Sequence, residues 1–448
     1  VSLAQALGVE SALARLDRIE AGAAAGDDWD AGDWSLPSRL ERCLAQFGLC
    51  DHALDEPAAR LSGGEQARVK LAALALAQPD ILLLDEPTND LDEEGRAMVA
   101  DFLTRWDGPA LVASHDRALL ERMDRILELS PTGCLSVAGG WSAFDAQRKA
   151  ERSQALGALE QAQAAVNHAG AAHLARTERQ ARRSKQGKAA SARRGDTKLD
   201  VNAKTSQAQR TQARDNAMGE EQVERAQEAL NAAQERVERV LPIRIELPPS
   251  RLQSSHTLIK AEDLSLCYGE RRVFGPITLT ITGPKRVALT GQNGAGKSSL
   301  LRVLSGAIEP TTGRVRRSAD RIAVLDQHLL LLGDGESALE AMRRHSPSLT
   351  AHQAHAALAR FGFRGDWSAR DVSAMSGGER VRLALACLFS GEGAPAMLIL
   401  YEPTNHLDIE AIELLEAALR DYHGAILCAS HDRAFRENLG LTHSIAFT

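Results

Sequence analysis

The fold of this chain is decided by the stretch RVALTGQNGAGKSSLLRVLSG, which runs from Arg286 to Gly306. It contains the pattern G-x-x-x-x-G-K-S, from Gly291 to Ser298, between an apolar run that predicts a β-strand and a segment that predicts a helix. Glycines at these positions let backbone N–H groups surround a phosphate, and the N-terminus of the following helix adds its positive dipole. The stretch therefore predicts a phosphate-binding loop, or P-loop, in an α/β fold.

The residues of this loop have different predicted tasks. Lys297 can reach the β- and γ-phosphates of a nucleotide, and the Ser298 hydroxyl can ligate Mg²⁺. The other predicted nucleotide-binding residues of the loop are Gly291, Gln292, Asn293, Gly294, Ala295, Gly296 and Ser299.

An internal repeat organises the chain on both sides of the loop. LLLDEPTNDLD at 82–92 matches LILYEPTNHLD at 398–408, and ASHDRALLERM at 113–123 matches ASHDRAFRENL at 429–439. LSGGEQARVKLAAL at 61–74 matches MSGGERVRLALACL at 375–388. Repetition of several motifs in the same order indicates that one domain was duplicated.

These motifs carry a family resemblance. S-G-G-E after a P-loop, then an apolar strand ending in D/Y-E-P-T-N, then S-H-D, resembles the nucleotide-binding domain of an ATP-binding cassette (ABC) protein. Two such domains with a charged helical linker between them resemble the ABC-F family, over essentially the whole chain. The resemblance implies an α/β fold with two P-loop NTPase domains joined by a long α-helical hairpin. The expected domains are a first cassette at 1–146, a linker at 147–245 and a second cassette at 246–448.

The resemblance also implies that two ATP molecules lie between the cassettes, each between one P-loop and the opposite S-G-G-E signature. The P-loop at 291–298 is then expected to face Ser62, Gly63, Gly64 and Glu65. The second signature, Ser376, Gly377, Gly378 and Glu379, is expected to face a P-loop of the first cassette. By the repeat that loop falls roughly forty residues before Val1, so the first cassette is expected to be incomplete and one ATP site complete.

Catalytic residues follow from the same resemblance. Glu402 is expected to polarise the attacking water, His431 to sense the γ-phosphate, and Gln327 to hold Mg²⁺ with Ser298. The corresponding residues of the first cassette are Asp85 (metal), Glu86 and His115 (catalytic). Tyr268, in LCYGERRVF, resembles the aromatic residue that stacks on adenine. The implied cofactors are ATP and Mg²⁺.

The two copies differ where the metal is usually held. Asp85 of the first copy corresponds to Tyr401 of the second. Tyrosine carries no negative charge at pH 7, and loss of an outer-shell metal partner typically costs ~10–100-fold in affinity or activity. The sequence therefore predicts a site that binds ATP and hydrolyses it slowly. A single-base change or a sequence error remains an alternative explanation, because Asp and Tyr codons can differ by one base.

The linker differs in composition from the cassettes. Apolar residues three and four apart indicate two helical arms that pack against each other: Ala155, Leu159, Ala162, Val166 and Ala169 on the first arm, and Val223, Ala226, Leu230, Ala233, Val237 and Val240 on the second. Between 176 and 214 three acidic residues oppose twelve basic ones: Arg176, Arg179, Arg182, Arg183, Lys185, Lys188, Arg193, Arg194, Lys198, Lys204, Arg210 and Arg214. This basic tip, on a chain of net charge −7, favours a polyanion partner over a merely solvated face. Because it has no aromatic residue, contacts to the phosphates of structured RNA fit better than stacking on bases.

Composition narrows the remaining choices. The six cysteines form no metal-binding pattern, which favours free thiols in a reducing cytoplasm, and no apolar run reaches the ~18 residues of a membrane span. The resemblance implies that the two cassettes pair within one chain, so a monomer is expected. The preferred function is a ribosome-associated ATPase acting on ribosome-bound tRNA, as the resemblance implies. A slow ATP clamp on nucleic acid, a DNA-repair ATPase and the ATPase subunit of a membrane transporter stay open as alternatives.

Overall fold

A computed structural model describes most of the chain. The described residues are 1–89, 91–130, 133–194, 198–240, 245, 247–250, 252–292, 294–318, 320–327, 329–390, 393–441 and 443–447. Within the two linker helices the description of side chains excludes 180, 184, 187–194, 198–212, 215–216 and 238–240. By internal contacts the chain divides into two compact units: Val1–Ile126 with Ile243–Thr448, and Leu127–Pro242.

The first cassette is mainly helical. Its helices are α1 (Leu3–Ala6), α2 (Glu10–Glu20), α3 (Leu36–Gln46), α4 (Gly63–Ala77), α5 (Glu93–Thr104) and α6 (Arg117–Leu120), with 3₁₀ turns at Gly26–Asp28 and Ala58–Arg60. Strands β1 (Leu82–Asp85) and β2 (Ala110–Ala113) pair in parallel. Leu82 lies in a core with Phe47 and Leu71, whereas Leu83 is 72% exposed, so the described part of this sheet buries one face.

The second unit contains the predicted helical hairpin. Two strands, β3 (Arg125–Ser130) and β4 (Gly133–Ala138), pair with each other and precede α7 (Trp141–Arg194) and α8 (Lys198–Val240). The Arg176 guanidinium donates to Gln222 Oε1 at 3.3 Å, which joins the two long helices in antiparallel order. Ala155 and Leu230, at the predicted seam, are buried. Among the described helices, none combines the length and the apolar composition that a membrane span requires.

The described residues of the second cassette form two sheets. Its elements are β5 (Thr257–Tyr268), β6 (Arg271–Thr282), β7 (Arg286–Gly291), α9 (Lys297–Ser305), β8 (Thr312–Arg317), β9 (Ile322–Asp326), α10 (Ala338–His345), α11 (Ala351–Arg360), α12 (Gly377–Phe389), β10 (Met397–Tyr401), α13 (Ile409–Arg420), β11 (Ala425–Ala429), α14 (Arg433–Asn438) and β12 (His443–Phe447). Two 3₁₀ turns lie at Gly365–Ala369 and Val372–Ala374. An antiparallel sheet has the order β6-β5-β8, and a parallel sheet has the order β12-β7-β11-β10-β9.

The parallel sheet is buried on both faces. Leu398 and Leu400 of β10 pack into a core with α12 and α13, whereas Met397 and Ile399 pack on the opposite face against α9. Continuous apolar strands are typical of such doubly covered parallel sheets. Since all five strands run in one direction, the P-loop after β7, Glu402 after β10 and His431 after β11 lie at the same carboxyl edge. This arrangement forms the candidate site and confirms the predicted fold class.

Candidate active site

The P-loop has a backbone that requires glycine at two positions. Gly291 has φ +153°, and a Cβ there would lie 2.3 Å from the carbonyl oxygen of Phe447. Gly296 has φ +101°, and its Cβ would press on Val273 at 3.1 Å. Left-handed backbone and close packing both exclude larger residues. The loop is therefore shaped as a cradle of backbone groups, as the sequence predicts.

Lys297 begins the helix that follows the cradle and is buried. Its ammonium group donates to the carbonyl oxygens of Gly291 at 2.7 Å and Gln292 at 2.9 Å. Burial lowers the pKa of Lys297 from its ordinary value, and the nearby carboxylates of Glu402 and Asp92 oppose that shift. A lysine held at the loop by backbone carbonyls is already positioned to meet a phosphate.

A cavity of about 330 Å³ surrounds this lysine. Its lining includes residues that are more than a hundred positions apart in the sequence. These are Gly294, Gly296, Lys297, Ser298, Ser299, Gln327, Tyr401, Glu402 and His431. The structure therefore brings together the predicted catalytic and metal-binding residues of the second cassette. Asn293 lies outside the described residues.

Glu402 and His431 form the centre of this cavity. Glu402 is 5% exposed and adopts φ +40°, a left-handed conformation that is costly for a residue other than glycine. Its Oε2 accepts from the backbone N–H of His431 at 3.2 Å, and its Oε1 lies 3.5 Å from His431 Nε2. Both Oε1 and Nε2 are buried and make no hydrogen bond to any described residue. Such a pair fits a bound phosphate or water, because buried polar atoms otherwise have a partner.

Burial also sets the charge of both groups. It raises the pKa of Glu402 to about 7, although the His431 N–H and the charges of Arg96 and Lys297 oppose the shift. Burial lowers the pKa of His431 to about 4, with a further lowering by Lys297 and Arg96. At neutral pH His431 is therefore uncharged, and Glu402 titrates within the range where a general base is effective.

The groups that would hold Mg²⁺ are Ser298 and Gln327. The Gln327 amide nitrogen donates to His406 Nε2 at 3.0 Å, which leaves the amide oxygen for a metal. Among the described residues no cluster of three or more His, Cys, Asp or Glu could hold an ion. A hydroxyl and an amide oxygen fit Mg²⁺ that takes its other ligands from phosphate and water, which is its usual mode in nucleotide sites. Tyr401 ends β10 at this position and offers no carboxylate.

The signature of the first cassette faces this P-loop. A cavity of about 450 Å³ is lined by Ser62, Gly63, Gly64 and Glu65 on one side and by Gln292 and Gly294 on the other. Ser62 and Glu65 form a capping box at the start of α4, in which Glu65 Oε2 accepts from the Ser62 N–H at 2.7 Å. The sequence pattern S-G-G-E is thus also a helix start, which presents the glycines toward the opposite loop.

The equivalent residues of the first cassette repeat the arrangement around Glu402. Glu86 has φ +43°, and its Oε1 lies 3.3 Å from His115 Nε2. Both line a separate cavity of about 240 Å³, and burial raises the pKa of Glu86. Asp85 ends β1 one residue earlier and is exposed.

Two further predicted groups lie apart from the P-loop cavities. The second signature starts α12 with a capping box between Ser376 and Glu379, and these residues do not line either cavity around the P-loop. Tyr268 ends β5 and is 58% exposed. Its stacking on adenine stays a prediction.

Sequence reasoning missed the contribution of the first cassette beyond its signature. Leu91 enters the cavity of Lys297 and Glu402, and Asp92 lies in the cavity between signature and P-loop. Both are the last residues of the motif EPTN-x-LD at 86–92, and their repetition at 407–408 is the sequence feature that could have marked them as site residues. Arg96, four residues later, has no motif to mark it.

Comparison with known proteins agrees with this geometry. The family model described as "ABC transporter" matches residues 6–89 and 274–405. The chain is 30% identical over 411 residues to the "Probable ATP-binding protein YheS" of Escherichia coli strain K12. That alignment covers 89% of this chain and 57% of YheS. The chain is also 32% identical over 419 residues to the "Energy-dependent translational throttle protein EttA" of Haemophilus influenzae, and the alignment covers 92% of this chain and 68% of EttA. This chain belongs to the ABC-F family.

A solved structure shares the fold of this ABC-F chain. The archaeal ribosome recycling factor aABCE1, in complex with the ribosomal stalk protein aP1, matches with a TM-score of 0.53 at 20% identity. The match spans 90% of this chain and 66% of that one. The likeness supports the architecture of two cassettes. The chain also spans little more than half the length of YheS.

Proposed function

We propose that this ABC-F chain binds and hydrolyses ATP between its two cassettes and acts on the ribosome or on ribosome-bound tRNA. One observation carries the proposal: the P-loop of the second cassette and the signature of the first line a common cavity. A nucleotide there contacts both cassettes, so its binding favours their closure and its hydrolysis favours their separation.

The chemistry is assigned to this chain's own groups. Lys297 and the glycine cradle bind the β- and γ-phosphates, and Glu402, when ionised, accepts a proton from the attacking water. Neutral His431 orients the γ-phosphate through its buried ring nitrogen. Ser298 and Gln327 would hold Mg²⁺, which would supply positive charge against the phosphates.

The ribosomal partner is proposed from the linker and the relatives. EttA is named a translational throttle protein, and aABCE1 a ribosome recycling factor. The described side chains of the basic tip, at Arg176, Arg179, Arg182, Arg183, Lys185 and Arg214, are at most partly buried and therefore available to phosphates. The side chains of Lys188, Arg193, Arg194, Lys198, Lys204 and Arg210 lie outside the described residues.

Co-sedimentation with ribosomes across a salt series tests the proposal. Pelleting that requires ATP and weakens with salt is the expected result, with a log–log slope of about −0.7 to −0.9 for each phosphate contacted. Pelleting that ignores ATP would mean that the hairpin alone binds RNA. Absence of pelleting at low salt would exclude the ribosome as the partner.

A second candidate function is a slow ATP clamp on nucleic acid. Tyr401 favours it, because this residue stands beside Ser298 and Gln327 where a carboxylate would support the metal. The clamp differs from the ribosome-associated ATPase in a measurable way. Its complex with nucleic acid lasts as long as ATP stays bound, and ATP hydrolysis is much slower than the dissociation of ATP.

A further inference from the structure

Arg96 is a partly buried arginine of the first cassette that lies beside the active site of the second. It belongs to α5, and its side chain is 18% exposed. With Glu86 and His115 from its own cassette, and Thr404 and Asn405 from the other, it lines the cavity of about 240 Å³. Asn405 also lines the cavity of Lys297 and Glu402, so the two cavities meet at this residue.

The contacts of Arg96 tie together two segments of the first cassette. Its Nε donates to the backbone carbonyl of Leu91 at 3.1 Å, and its Nη1 donates to Asp116 Oδ2 at 3.3 Å. Asp116 is itself fixed, because its other oxygen accepts the backbone N–H groups of Ala118 and Leu119 at the start of α6. Arg96 therefore anchors the segment of Leu91 and Asp92, called the Leu91 segment below, to the start of α6.

Leu91 and Asp92 form a second part of the first cassette, besides the signature at 62–65, that reaches the opposite P-loop. Leu91 lines the cavity of Lys297, Ser298 and Glu402, and Asp92 lines the cavity with the signature and Gln292. Removal of the Arg96 anchor would release this segment from its position beside the phosphates. Small displacements of positioning groups lower the rate of a reaction more than they lower ground-state affinity.

Charge gives Arg96 a second connection to the site. Its guanidinium opposes the rise in the pKa of Glu402, together with Lys297 of α9 and Arg436 of α14. It also lowers the pKa of His431, on which Lys297, Asp92 and Arg436 act as well, and the Glu402 carboxyl lies 3.5 Å from His431 Nε2. Arg96 is the member of this set of cations that comes from the opposite cassette.

The repeat makes the feature one-sided. The position equivalent to Arg96 in the second cassette is Ile412, which is 2% exposed in an apolar core. Asp432, the equivalent of Asp116, caps α14 through the Phe435 N–H. An isoleucine cannot make either contact of Arg96, so the second cassette lacks this anchor at the equivalent position.

We propose that Arg96 is a positioning residue supplied by the first cassette to the ATP site of the second, where it fixes the Leu91–Asp92 segment and places a positive charge toward Glu402. The inference rests on the proposed ATPase activity. It identifies a residue that couples closure of the cassettes to competence for hydrolysis.

The test uses the full chain with Arg96→Ile, Arg96→Lys and the control Arg122→Gln. Isoleucine is the residue that the second cassette carries, and lysine keeps the charge. Arg122 is an arginine of the same cassette in an exposed ion pair with Asp101. Affinity is measured with the fluorescent analogue mant-ATP, and single-turnover hydrolysis is followed with ATP between about pH 5 and pH 9.

We expect Arg96→Ile to lower the single-turnover rate by about tenfold or more while its mant-ATP affinity changes by less than about threefold. The acidic limb of its pH profile moves to higher pH, because Glu402 loses a favourable cation. Arg96→Lys returns the limb toward its original position and restores part of the rate. Arg122→Gln behaves as the parent chain.

Failure of the inference and failure of the function give different results. If the parent chain hydrolyses ATP and Arg96→Ile keeps its rate and pH profile, Arg96 has no positioning role and the ATPase proposal stands. Equal losses of affinity and rate in Arg96→Ile and Arg96→Lys, without movement of the limb, would indicate a folding role and overturn the inference. A parent chain that binds no mant-ATP overturns both.

Discussion

Arg117 of the first cassette donates to Glu416 of the second at 2.8 Å, and both side chains are less than 10% exposed. The other oxygen of Glu416 accepts from Asn438 at 3.0 Å. Burial raises the pKa of Glu416, and the charge of Arg117 opposes that rise. The pair is one-sided like Arg96, because the repeat-equivalent residues are Arg433 and Ala100. A buried ion pair thus connects the two cassettes.

Replacement of Arg117 by Ala is expected to destabilise the association of the cassettes. Removal of one partner leaves a buried carboxylate without its cation, which typically costs about 3–5 kcal/mol. Thermal unfolding at pH 7 measures the effect as a lowered midpoint. The matched control is Arg433→Ala, since Arg433 occupies the equivalent position in an exposed pair with Glu437. Equal midpoints for the two variants would contradict the prediction.

Glu402→Gln is expected to keep ATP affinity and to lose hydrolysis by more than about a hundredfold, because glutamine cannot accept the proton of the attacking water. The parent chain is expected to show a rate that rises with pH through about 7, the pKa of the buried carboxyl. Pre-steady-state hydrolysis across pH checks both statements. Retention of more than about a tenth of the rate in Glu402→Gln would mean that another group acts as the base.

The same variant has a predictable effect on stability. The pKa of Glu402 rises from 4.5 to about 7 on folding, so the native state holds a proton that the unfolded state has released. Ionisation therefore costs stability that grows as pH rises above 4.5 and is complete above about 7. Glu402→Gln removes a cost of up to about 3 kcal/mol. Its advantage in unfolding free energy should be absent at pH 4 and present at pH 8, and the opposite trend would contradict the assigned burial.

Local motifs explain why so much of the fold was predictable. The P-loop, the S-G-G-E capping boxes and the strand ends depend on residues within a few positions of each other, and the duplication gave two views of each motif. Glu402, Gln327 and His431 meet because parallel strands end at one edge, which is a general property of the fold.

The contacts between cassettes could not be predicted in the same way. Arg96 and Arg117 look like ordinary charged residues of short helices, and a charged residue on a helix usually faces solvent. Arg117 is buried against Glu416, and Arg96 shares a cavity with Thr404 and Asn405, in both cases about 300 residues away in the sequence. The left-handed backbone of Glu402 could not be predicted from the sequence either, since nothing in E-P-T-N requires a positive φ.

Tyr401→Asp is expected to increase hydrolysis about 10–100-fold, because it restores a carboxylate beside Ser298 and Gln327. Steady-state phosphate release at saturating Mg·ATP measures the gain, and the apparent affinity for Mg²⁺ should rise with it. Tyr401→Phe is the control, since it changes the same side chain without adding charge. An equal rate of phosphate release in Tyr401→Asp and Tyr401→Phe would contradict the prediction that Tyr401 limits turnover.

The basic tip is expected to bind RNA through phosphates, which predicts a specific change in salt dependence. Arg182→Gln with Arg183→Gln removes two exposed cations of α7, and each cation–phosphate pair removed should lower the slope of log affinity against log salt by about 0.7–0.9. The double variant should therefore reduce the slope measured with tRNA by filter binding by about 1.5. Arg225→Gln with Arg236→Gln changes the net charge equally at exposed positions of α8 outside the tip, so it should leave the slope within about 0.3 of the parent value. Equal slopes for both double variants would show that overall charge, and not the tip, attracts the RNA.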